Sequence, residues 1–69
     1  MPITLLEAGG TGTITRIGGA DSVRARLNGL GFIEGTQLEV VAKTAGGLIV
    51  NVRGSRIALG MDLASRVYI

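Results

Sequence analysis

The 69-residue sequence predicts a mainly β fold, a small five-stranded barrel with one short α-helix after the first strand. Three observations carry this. Apolar and polar residues alternate with a period of two through the middle of the chain, the pattern of half-buried strands. Twelve glycines fall between the apolar runs and punctuate them. Only one stretch has the i, i+4, i+7 spacing of a helix. A chain of this length holds one domain, residues 1–69, and buries only about 60% of its unfolded surface.

Taken in order, Thr11-Gly12-Thr13-Ile14-Thr15-Arg16-Ile17 is rich in β-branched residues and reads as a first strand. Ile14 and Ile17 fall on opposite faces, and a bulge or bend at Gly12 would reconcile them. Gly18-Gly19 ends it. Asp21 or Ser22 then caps a helix in which Val23, Leu27 and Leu30 share one face. Arg24, Arg26 and Asn28 point away from that face, and Gly31 is the expected left-handed stop. At about nine residues this helix needs a sheet to pack on.

From Thr36 to Lys43 the alternation puts Leu38, Val40 and Ala42 on one face. Thr44-Ala45-Gly46-Gly47 is a turn. Leu48, Val50 and Val52 form the apolar face of the returning strand, completing a hairpin. Gly54-Ser55 turns the chain into Arg56-Ile57-Ala58-Leu59. Gly60-Met61-Asp62-Leu63-Ala64 breaks the strand pattern as a single helical turn that Asp62 could cap. Arg66-Val67-Tyr68-Ile69 is the last strand. Five short twisted strands leave reactive edges unless the sheet curls, which favours a partly open barrel of the SH3-like kind.

The composition excludes whole classes of chemistry. There is no cysteine, hence no disulfide framework, thiolate metal site or cysteine nucleophile. There is no histidine, hence no imidazole ligand and no side chain titrating unperturbed near neutrality. No serine has a histidine or nearby lysine to activate it. The carboxylates Glu7, Asp21, Glu34, Glu39 and Asp62 are scattered, whereas hard cations gather several oxygens in one place. Gly9-Gly10-Thr11-Gly12 resembles a phosphate loop but lacks the following Lys-Ser/Thr and the strand and helix that frame one. No enzyme, cofactor or metal site is expected.

The formal net charge is +2, too small to mark a nucleic-acid surface. A single Phe and a single Tyr, with no Trp, cannot supply the stacking platforms of a single-strand binder or an aromatic groove for Pro-rich peptides. A small nucleic-acid-binding barrel therefore stays a minor alternative. The longest run without a polar residue, Ala45 to Val50, is far below the ~20 that span a bilayer, and the amino terminus lacks a signal pattern. A cytoplasmic protein with no membrane insertion and no nucleic-acid partner is expected. Arg, the cation of interfaces, outnumbers Lys six to one.

Leu27-Asn28-Gly29-Leu30-Gly31-Phe32-Ile33-Glu34-Gly35-Thr36 is the most distinctive stretch. A helix reading Arg-Leu-x-x-Leu-Gly-Phe (Arg26 to Phe32), followed by Gly35 and a strand, resembles the FeoA family. The resemblance covers essentially the whole chain. Leu5 and Leu6 precede Gly10 and Gly12, then Ile14 and Ile17. Gly54-Ser55-Arg56-Ile57-Ala58-Leu59 is similar to the family's Gly-x-x-Ile-Ala-Leu, and Ala64, Val67 and Ile69 also fit. Gly60 departs from it, standing where many relatives have a polar residue.

The resemblance implies an SH3-like barrel and a role as an accessory of ferrous iron uptake. It implies as partner the cytoplasmic, GTP-binding part of the FeoB transporter. Lacking histidine and cysteine, the chain is expected to act by protein contact rather than by carrying iron. The expected contact is the helix with its exit loop: Arg24 and Arg26 as a charged rim, Gly31, Phe32 and Ile33 as the apolar part. Alternatives are a stand-alone relative of the carboxy-terminal module of iron-dependent repressors, and weak self-association through β edges.

Overall fold

The first expected strand divides in two. In the computed structural model, which describes residues 1–69, Thr11–Thr13 (β1) and Arg16–Ile17 (β2) belong to different sheets. Between them the chain changes partners. The Ile14 amide donates to the Thr36 carbonyl at 2.9 Å, and the Thr15 amide to the Tyr68 carbonyl at 2.8 Å. This corner, rather than a bulge at Gly12, lets both Ile14 and Ile17 face the interior.

The helix follows as Asp21–Gly29 (α1). Its cap is Ala20, whose carbonyl accepts from the Arg24 amide at 3.0 Å. Asp21 and Ser22 do not cap it. Asp21 instead sits in the first turn and pairs with the Arg24 guanidinium, where a carboxylate suits the positive end of the helix.

Gln37–Thr44 (β3) and Gly47–Val52 (β4) form the main hairpin, closed by Ala45-Gly46 with Thr44 opposite Gly47. One extra residue, Val41, makes a bulge between Val40 and Ala42. Leu38 and Val40 face the core as expected, but the bulge moves Ala42 opposite Ile49 on the outer face. Ser55–Gly60 (β5) returns along β4, joined by Arg53-Gly54. The turn comes one residue earlier than expected, because Ser55 already pairs with Val52. Both turn residues have positive φ, 53° and 81°, the primed geometry whose twist matches the flanking strands.

Met61–Ala64 (α2) is the single helical turn expected after β5. Its cap is Gly60, and Asp62 lies in the turn itself rather than capping it. Val67–Tyr68 (β6) then pairs antiparallel with β2, Ile17 opposite Val67. Arg16 lies over the Tyr68 ring, 4.1 Å from its centroid.

The strands therefore number six rather than five, in a four-stranded sheet of order β1-β3-β4-β5 and a two-stranded sheet β2-β6. The SH3-like architecture is retained, but the barrel is not closed, since no strand links β5 to β6. Between the sheets lies one core of thirteen buried apolar residues with no buried polar or charged residue. Leu27 from α1, Phe32 from the exit loop and Ala64 from α2 join the strand residues there.

Candidate partner-binding face

How α1 ends determines what its exit loop exposes. The Phe32 amide donates to the Leu27 carbonyl and the Gly31 amide to the Asn28 carbonyl, each at 3.0 Å. These six-to-one and five-to-two bonds are the Schellman arrangement, which requires the intervening residue to be left-handed. Gly31 meets that need at φ +102°. The same arrangement brings the residues at its two ends together as an apolar pair. Leu27 and Phe32 occupy those places, and both are fully buried, 0% exposed.

Phe32 is therefore not part of any contact surface, which corrects its expected role. Its side chain is the largest fully buried one in the molecule. Leu30 and Ile33, which flank Gly31-Phe32, are turned outward instead, 38% and 41% exposed. Leu30 had been expected on the buried face of α1. It is the helix C-cap, still right-handed at φ −85°, and the chain leaves the helical path at the next residue, Gly31.

Beside α1 lies a shallow depression lined by Ile17, Asp21, Arg24, Ala25, Asn28, Ile33 and Glu34. It gathers two of the expected residues, Arg24 and Ile33, at one place. Arg26 is exposed but does not line it. At 100° per residue, Arg26 lies about 200° around the helix from Arg24. The face thus has an apolar floor, an Arg24 guanidinium shared with the Asp21 carboxylate at one side, and a second carboxylate, Glu34, at its edge. Gly31 contributes backbone geometry rather than a contact group.

A second depression, which the sequence did not announce, lies on the outer face of the larger sheet. Thr11, Thr13, Gln37, Glu39, Asn51 and Arg53 line it. Register brings them together, Thr11 opposite Glu39 and Glu39 opposite Asn51. The Asn51 Oδ1 atom is buried there without a hydrogen-bond partner. Its signal in the sequence was the polar half of each alternating strand. Without the register, those residues had no reason to be grouped. Neither depression holds a cluster of three or more Asp or Glu residues.

A four-stranded and a two-stranded sheet around one core, with one short helix beside them, is the fold of small SH3-like domains. The chain is a member of the FeoA domain family, whose model matches residues 1–69. It is 31% identical to an iron uptake regulatory protein of the FeoA type, at a TM-score of 0.90 over 97% of this chain and 91% of that one. It is 28% identical to Stenotrophomonas maltophilia FeoA, at a TM-score of 0.84 over 99% of this chain and 87% of that one. That protein is described as a prokaryotic SH3 domain protein, complexed with zinc and possibly acting as a ferrous iron transport activating factor. A manganese-dependent transcriptional repressor contains a similar domain, 25% identical, at a TM-score of 0.91 over all of this chain and 40% of that one. No curated protein matches the chain by sequence. No helix is long and apolar enough to cross a membrane.

Proposed function

We propose that this chain is a cytoplasmic accessory of ferrous iron uptake, acting by direct contact with the GTP-binding part of a FeoB-type transporter. Membership of the FeoA family, a small accessory family rather than an enzyme family, links it to ferrous iron transport. The observation that carries the contact is the outward placement of Ile33 beside Arg24 in the depression along α1. The centre of an interface is more apolar than the rest of the surface, and arginine is enriched in interfaces. The contact would set the position or activity of the GTP-binding part without any metal passing through this chain.

The test is binding of the chain to the isolated cytoplasmic part of the transporter. Ile33→Asp and Arg24→Glu are each expected to weaken binding at least about tenfold, a loss of about 1.4 kcal/mol. Arg26→Glu, outside the depression, should have a smaller effect. Unchanged binding by Ile33→Asp would discard the proposed face. Normal iron uptake in cells that keep the transporter but lack this protein would discard the transport role.

A further inference from the structure

We propose that the free edge of β5 pairs with the same edge of a second copy of this chain, in an antiparallel two-fold contact centred on Ala58. β5 ends the order β1-β3-β4-β5, so one of its sides has no strand beside it. The two-residue turn at Arg53-Gly54 makes Val52 and Ser55 the first hydrogen-bonded pair of the hairpin. Such pairs alternate along an antiparallel ladder. Ser55, Ile57 and Leu59 therefore turn their backbone groups toward β4, while Arg56, Ala58 and Gly60 turn theirs to the open side. None of these three takes part in a backbone hydrogen bond outside the ladder, and all three are exposed. The usual protections of an edge are lacking: β5 has no proline, its register is unbroken, and its one charge is Arg56.

Charge selects both the occupant and the register. Antiparallel pairing joins only outward-facing residues, so Arg56 of one copy meets Arg56, Ala58 or Gly60 of the other. The first option sets like charges face to face. The last uses every outward residue of both strands, with roughly six hydrogen bonds at two per close pair. It also sets Arg56 opposite Gly60, and the space a side chain of Gly60 would fill is occupied by Asp62. An Asp62 carboxylate oxygen lies 2.8 Å from the position of that missing Cβ. Asp62 has no ion-pair partner in its own chain, where the only pair is Asp21 with Arg24. Two-fold symmetry forms the Arg56–Asp62 pair twice. On the inner face the half-buried Ile57 comes to lie beside Leu59 of the second copy, which extends the apolar core across the joint. No residue of the α1 face takes part.

Sedimentation over rising concentration tests this. The average mass of the 7.1 kDa chain is expected to climb toward twice that value as concentration approaches about 1 mM, the range of a small contact. Ala58→Pro removes the amide at the two-fold centre, where an outward-facing proline is tolerated at an edge. It is expected to stay monomeric with unchanged far-UV circular dichroism. Arg56→Asp and Asp62→Arg should each weaken pairing roughly tenfold, because symmetry removes two ion pairs at once. The double variant Arg56→Asp/Asp62→Arg should regain it. A wild-type chain that stays monomeric at 1 mM would overturn the proposal. So would dimerisation that survives Ala58→Pro, or a double variant no tighter than the singles.

Discussion

At Gly31 the backbone φ of +102° lies where an L side chain costs about 1–2 kcal/mol. The space around it is not the constraint. A Cβ there would meet Arg53 and Val52 side-chain atoms at 3.7 and 3.8 Å, ordinary contact. Gly31→Ala is therefore expected to lower stability by about 1–2 kcal/mol in urea denaturation, all of it from backbone strain. The neighbouring pair Phe32 and Ile33 separates packing from exposure within two residues. Phe32→Ala should cost about 3–5 kcal/mol, as loss of a buried aromatic does. Ile33→Ala should stay within about 0.5 kcal/mol. A chain this size has only roughly 3–10 kcal/mol in hand, so the Phe32 variant is expected to be partly unfolded at 37 °C.

Among the elements, the β4–β5 hairpin carries its own strain. Arg53 is the only non-glycine residue with positive φ, at the first position of a primed turn that favours asparagine before glycine. Arg53→Asn is expected to raise stability by about 0.5–1 kcal/mol, read as a higher melting temperature. Much of this level was legible in the sequence. The hairpins followed from alternation between glycine turns, and α1 from the spacing of Val23 and Leu27 with Gly31 behind them. What was not legible depended on partners distant in the chain. The break between β1 and β2 is set by Thr36 and Tyr68, which take the amides of Ile14 and Thr15. The bulge at Val41 is a mismatch of lengths between two strands, invisible in either alone. Of the residues singled out for a contact, Arg24 and Ile33 line one depression, and Arg26 does not. Phe32 was misassigned because Leu30-Gly31-Phe32-Ile33 is apolar throughout, and only the capping hydrogen bonds decide which side chains turn inward.

At the scale of the whole molecule, the two sheets share one core and should not unfold separately. Tyr68 reports on the β2-β6 sheet, while far-UV circular dichroism is dominated by the larger sheet and α1. Tyrosine fluorescence and circular dichroism are expected to give the same denaturation midpoint. Midpoints that differ would mean that the Ile14 corner does not couple the sheets. Both ends of the chain also lie on this smaller sheet. Pro2 bridges Tyr68, and the Ile69 amide donates to the Met1 carbonyl at 2.8 Å. A fold whose ends meet can be entered and left through one doorway. A short linker from residue 69 to residue 1, with new ends cut at Ala45-Gly46, should give a circularly permuted chain that keeps the same core. The same geometry lets the module be spliced onto a larger protein with a single junction to accommodate.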